Sequence, residues 1–209
     1  MVQNLGNIMK NKVEFQKTGY VVLRQVFHKQ TIELLSTQFK MMRDADKFIC
    51  EYNNQQFESE CHDSQVVNSY AKYAAGCFES AMLNILPIVE KTVGKELYPT
   101  YSYARIMELG AFMEKHKDRP SCQFSVTLCV EEDKEVPYPI FMENYNGEAS
   151  SIILNTGDAI VYHGTQLNHW REEFAGTQHI QAFFHYVDKN GPYKHYKFDE
   201  RPMLGIIKQ

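Results

Sequence analysis

The stretch HKDRPSCQFSVTLCV, residues 116–130, opens on a histidine and an aspartate one residue apart and continues into an alternating, strand-like run. Residues i and i+2 of an extended chain point to the same face. An imidazole and a carboxylate spaced this way are either ordinary polar residues at a strand entrance or two of the three ligands of a metal site. The distinction rests on the remaining sequence.

A third ligand is available downstream. GDAIVYHGTQLNHW, residues 157–170, reads as a strand, a glycine turn and then His169. Two histidines and one carboxylate on one face of a metal leave other positions open, as in non-haem Fe(II) oxygenases. His163, on the same segment, is the alternative to His169. His185 and His195 read as structural histidines, and Trp170 as a packing residue. Arg119 faces either solvent or the substrate entrance.

The 209 residues fit one domain. A 44% hydrophobic and 13% aromatic content is enough for a full core. Twenty-six acidic residues against 22 basic ones give a net charge of −4, which argues against nucleic acid as a partner. The five cysteines, Cys50, Cys61, Cys77, Cys122 and Cys129, form no CxxC pair and read as small core residues of a reduced, cytoplasmic protein. MVQNLGNIMKNKVEF lacks the apolar region of a signal peptide, and no apolar run approaches the ~18 residues of a membrane span.

GYVVLRQVF, residues 19–27, reads as a strand. The segment TIELLSTQFKMMRDADKF follows as a helix, with Thr31 as N-cap and Leu35, Phe39 and Met42 at helical spacing. Residues 44–63 read as a loop. A second helix is expected from Ser64, on the recurrence of Val67, Tyr70, Ala74, Cys77, Ala81 and Ile85. Pro87 is expected to end it or to open a short successor, PIVEKTV, which Gly94 closes.

After Tyr98–Pro99 the texture changes to short strand-like runs: TYSYARIM, CQFSVTLCV, YPIFM, SSIILN, DAIVYH and HIQAFFHYV. Asn146–Gly147, Gly157–Asp158 and Gly164 punctuate them. EEDKE, residues 131–135, reads as a solvated turn. The expected class is α+β in one domain, residues 1–209. Residues 1–97 supply a strand and helical support, 98–188 a sandwich or barrel core, and 189–209 a C-terminal arm.

Taken together, these motifs resemble the 2-oxoglutarate- and Fe(II)-dependent oxygenases, in particular their prolyl hydroxylase and phytanoyl-CoA dioxygenase-like branches. FQKTGYVVLRQVFHKQTIELL is similar to their N-terminal strand and helix, and MELGAFMEKHKD to the approach to their HxD motif. GDAIVYHGTQLNHWRE is similar to the strand and turn that carry the distal histidine, and HIQAFFHYVDKNGP to the last core strand.

The resemblance implies a double-stranded β-helix (jelly-roll, cupin-like) with the N-terminal helices packed on one face. It implies Fe(II) on His116, Asp118 and His169, with 2-oxoglutarate and O2 in the open positions and ascorbate as a possible reductant. The implied reaction hydroxylates a small molecule, an amino acid or a peptide side chain and releases succinate and CO2. Related halogenases lack the carboxylate ligand; Asp118 is present here, which implies hydroxylation. A second reading is a cupin-like module that binds a metal or small ligand without turnover.

Many members carry an arginine early in the last core strand, with a hydroxyl residue two positions on, to grip the far carboxylate of 2-oxoglutarate. Here those positions hold His179 and Gln181, or Gln178 and Ile180 one register away. Arg171 is the nearest arginine and the favoured anchor, with His179, Gln181 and Tyr103 as further co-substrate contacts. Tyr101, Tyr103 and Arg105, on the strand before HxD, also reach towards the pocket.

Overall fold

The computed structural model describes residues 5–53 and 65–206. Strands β1 (Tyr20–Leu23), β2 (Ser69–Tyr73), β3 (Leu97–Glu108), β5 (Phe124–Glu131), β8 (Ala159–Tyr162) and β10 (Gln178–Asp188) form an antiparallel sheet in the order β1-β8-β5-β10-β3-β2. Strands β4 (Met113–His116), β6 (Ile140–Glu143), β7 (Ala149–Ile152) and β9 (His169–Arg171) form a second sheet, in the order β4-β9-β6-β7. Among the described residues three α-helices accompany them: α1 (Leu5–Thr18), α2 (Lys29–Tyr52) and α3 (Gly76–Val93).

Side-chain alternation sets the layers. Val126 and Leu128 of β5 and Ala182 and Phe184 of β10 share one buried cluster with Phe39 of α2 and with Phe78 and Met82 of α3. Burying each such large apolar side chain contributes about 1.5–3 kcal/mol. The intervening residues Ser125, Thr127, Gln181 and His185 are also buried but polar, and they point the other way. On that inner side Cys129, Ile160 and Tyr162 pack with Ile140, Met142 and Leu167 across the gap to the second sheet. Buried polar residues on the inner face, beside this apolar cluster, mark the space between the sheets as the place for chemistry.

The first half departs from its expected layout. The helix expected from residue 64 is a strand followed by a helix. Ser69–Tyr73 pairs with β3, from Ser69↔Met107 to Tyr73↔Tyr103. Ala74 then takes a positive φ of 54°, and α3 starts at Gly76. Tyr70, Ala74, Cys77 and Ala81 fall at helical spacing only because two elements meet there; Val66 is buried and Val67 exposed. The expected cap, Ser64, and Cys61 lie outside the described residues.

Further corrections concern the helices. His28, not Thr31, precedes the first turn of α2, and that helix runs to Tyr52 through part of the expected loop. Pro87 neither ends nor restarts a helix; α3 runs through it and closes at Gly94, which takes the left-handed conformation. The EEDKE segment is not simply solvated, since Glu131 accepts from Ser36 and Lys40 at 2.6 Å each. Among the described residues no helix is long and apolar enough to cross a membrane.

Candidate metal centre and cavity

Strand pairing brings the two histidines together. His116 and His169 are directly opposed Cα partners of β4 and β9, and their ring centroids lie 4.3 Å apart. Asp118 lies past the end of β4, where its N–H donates to the Gly164 carbonyl at 2.9 Å. A 3-10 turn, Pro120–Cys122, separates it from β5. The HxD pair thus belongs to the end of β4 and the turn that follows, not to the alternating run after it. Asp118 Oδ1 lies 3.9 Å from His116 Nε2 and 3.5 Å from His169 Nε2. One ligand atom from each residue falls within a 4.8 Å cluster.

The protons sit where a metal needs them. His116 Nδ1 lies 2.7 Å from the Glu114 carbonyl and His169 Nδ1 3.2 Å from the Leu167 carbonyl. A carbonyl only accepts, so each Nδ1 carries the proton and each Nε2 offers a lone pair. Burial lowers the pKa of His169 against the opposing pull of Asp118, which favours the neutral ring that metal binding requires. Asp118 Oδ2 accepts from Ser125 Oγ at 2.8 Å, leaving Oδ1 turned to the histidines. Two imidazole nitrogens and a carboxylate oxygen suit a divalent iron-like ion.

Gly164 makes this arrangement possible. A Cβ there would overlap Asp118 Oδ2 and the Cys122 carbonyl, and would lie 2.8 Å from Ser125 Oγ. Gly164→Ala is expected to displace Asp118 and to weaken Mn(II) binding by roughly tenfold or more in calorimetry. Wild-type affinity in this variant would contradict the packing described.

The triad opens into a cavity of about 450 Å³ whose wall includes Tyr101, Tyr103, Arg105, Arg119, Thr127 and His185. Arg105 is buried, with its guanidinium 5.2 Å from the Tyr103 ring and 5.3 Å from the Phe183 ring. Its Nη2 donates to Gln65 Oε1 at 2.7 Å, and Gln65 Nε2 lies 3.3 Å from His116 Nε2. One carboxamide therefore spans from the His116 ring to a buried arginine.

Of the expected co-substrate contacts, Tyr103 lines this cavity; Arg171, His179 and Gln181 do not. Arg171 lies buried, donates to the Tyr138 carbonyl and stands 4.6 Å from that ring. Burial lowers its pKa to about 10. Burial and the Arg171 charge push His179 well below the usual histidine range. Both ring nitrogens of His179, and the amide of Gln181, lack partners among the described residues. The reason is position along β10: Phe183 and His185 border the cavity, whereas Gln181 and His179 lie progressively further along the strand.

The other histidines also have definite places. His163 is outside the triad, stacked on Phe124 at 4.8 Å and hydrogen-bonded to Tyr145 at 3.1 Å. His195 packs on Tyr196. His185, expected to be structural, borders the cavity instead. Trp170 stacks on Phe141, as expected of a packing residue. Arg119 lies at the cavity, near Tyr101 and Asp199. Sequence reasoning missed the parts played by Ser125, Gly164 and Gln65. The signal for Ser125 was a hydroxyl, repeated at Thr127, at alternate positions of a strand whose intervening residues are apolar.

No family model matches the sequence, and no curated protein matches it. Solved structures do match. A Pseudomonas putida prolyl-4-hydroxylase superposes with a TM-score of 0.65 at 12% identity, over 87% of this chain and 98% of that one. HygX from Streptomyces hygroscopicus, with nickel, 2-oxoglutarate and hygromycin B bound, gives a TM-score of 0.67 at 11% identity, over 87% of each chain. EctD from S. alaskensis, with 2-oxoglutarate and 5-hydroxyectoine, gives 0.61 at 13%, over 86% of this chain and 75% of that one. At such identities the likeness is one of fold, and the fold is that of the 2-oxoglutarate- and Fe(II)-dependent oxygenases.

Proposed function

We propose that the chain is a single-domain Fe(II)- and 2-oxoglutarate-dependent oxygenase that hydroxylates a small molecule, an amino acid or a peptide side chain. The observation that carries this is the convergence of His116, Asp118 and His169 on the wall of a cavity that also holds buried Arg105. Neighbours of the same fold bind nickel or iron together with the keto acid. Bound iron supplies the activation of O2 that oxidises the keto acid and the substrate. The free, mostly buried cysteines among the described residues fit a reducing, cytoplasmic setting.

The residues have distinct tasks. His116, Asp118 and His169 would hold the metal. Arg105 receives the far carboxylate of the keto acid in place of the Gln65 amide, and Tyr103 and Phe183 shield that ion pair from water. A guanidinium grips a carboxylate with two parallel bonds and stays charged across the physiological range. Asp118 would supply the carboxylate ligand that related halogenases lack, which favours hydroxylation.

The test is succinate release in air from 2-oxoglutarate, Fe(II) and ascorbate, scored with and without a metal chelator. Metal binding with no chelator-sensitive succinate, across free amino acids, short peptides and sugars as substrates, would leave only a binding module. Arg105→Gln is expected to weaken 2-oxoglutarate roughly 10- to 100-fold, the worth of a charge-assisted bond. Arg171→Gln should leave that affinity close to wild type. Affinity should be flat between about pH 6.5 and 8.5, because an arginine keeps its charge there. His179, held below its ordinary range, is neutral throughout that window. A loss of affinity with rising pH that disappears in His179→Gln would reject Arg105 as the anchor.

A further inference from the structure

Ser125 is fully buried at the start of β5; its hydroxyl lies beside the Tyr162 phenol and within hydrogen-bond distance of three further groups. Asp118 Oδ2 lies at 2.8 Å, His185 Nδ1 at 2.9 Å and the Cys122 carbonyl at 3.2 Å. A hydroxyl has one proton. The carbonyl and the ionised carboxylate can only accept, and the charged acceptor, also the nearest, makes the stronger bond. With its proton on Asp118, the Ser125 oxygen turns lone pairs to His185. His185 Nδ1 must then carry a proton and donate it, which in the neutral ring leaves Nε2 bare. Nε2 has no partner among the described residues, and the ring borders the cavity. Burial pushes this histidine down to about 4, which keeps the ring neutral at pH 7.

We propose that Ser125 is a positioning residue that sets two groups at once. It holds Asp118 so that Oδ1 alone faces the metal position. It also locks His185 in the Nδ1–H form, presenting Nε2 as a neutral acceptor to an O–H or N–H of the substrate. The inference rests on the metal site assigned above. It differs from a packing role because both consequences follow from one proton, which alanine lacks.

The experiment measures Co(II) affinity by ligand-field absorbance and the His185 tautomer by long-range ¹⁵N NMR of the Zn(II)-loaded chain. In Ser125→Ala the Co(II) Kd should rise roughly 10- to 100-fold, as when other outer-shell partners are removed. Ser125→Cys, which keeps a weak donor in the same place, should recover part of the loss. The wild-type spectrum should show His185 protonated at Nδ1 and bare at Nε2, and Ser125→Ala should lose that pattern. A wild-type Nε2–H tautomer, or a Co(II) Kd in folded Ser125→Ala within about threefold of wild type, overturns the proposal. If the alanine variant fails to fold, the wild-type spectrum still decides. Wild-type protein that binds no Co(II) would fail the metal site itself, a separate outcome.

Discussion

Wild-type protein reconstituted with Fe(II) is expected to hold about one metal ion per chain, and the His116→Ala, Asp118→Ala double variant none. The double variant keeps only His169 of the three ligands. Loss of a single outer-shell partner already costs 10- to 100-fold in metal affinity, so loss of two direct ligands should exceed roughly a thousandfold. Imidazole and carboxylate ligands also take Mn, Co, Ni or Zn, so the readout is total metal by mass spectrometry, not iron alone. Succinate release should fall to background with the metal. Proton competition for His169 should set in below the ordinary histidine range, because burial lowers its pKa. Unchanged total metal in the double variant would refute the assignment.

The three residues of the candidate metal site were legible because they are local: an HxD spacing and a histidine after a glycine turn survive without knowledge of register. What brings them together was not legible. His116 and His169 meet because β4 and β9 pair with those residues opposed, and a slip of one residue would turn one ring away. Arg105 is among the residues expected to reach the pocket, but the anchor was sought at Arg171 and along the last strand. Reading along the last strand finds His179 and Gln181 where a cation was sought. Arg105 is the β3 partner of Gln181, so the cation enters from the neighbouring strand. The misread helix near residue 64 has another cause. Tyr70 is buried from a strand and Ala81 from a helix, and both face one core, so spacing alone joins them. Pro87 was read as a break because its ring lacks a donor, yet packing of Met82, Ile85 and Val89 carries α3 through it.

Glu79→Gln is expected to lower the melting temperature by roughly 6–20 °C, the equivalent of about 3–5 kcal/mol in a chain of this size. Glu79 Oε1 and Arg201 Nη2 lie 2.5 Å apart, with side chains only 3% and 1% exposed. Arg201 also donates to the carbonyls of Phe198, Thr100 and Ile206, and the Gly205 N–H donates to Glu79. Removing one charge leaves the other buried without its counter-ion, which costs more than the pair contributes. For the same reason a Glu79→Leu, Arg201→Met double variant should regain part of the loss, since an apolar pair strands no charge. The clamp also holds a strained turn. Phe198, Asp199 and Glu200 have φ values of 57°, 55° and 61°, a left-handed run that costs of order 1 kcal/mol or more per residue. Asp199 accepts from Tyr73 at 2.7 Å and from Arg119 at 3.3 Å, and both donors line the cavity. Releasing Arg201 should therefore free the turn first and the cavity rim with it. Cleavage of native Glu79→Gln protein within residues 194–206 should be faster than in wild type. A melting temperature within about 2 °C of wild type, with unchanged cleavage, would show that the C-terminal segment is held by other contacts.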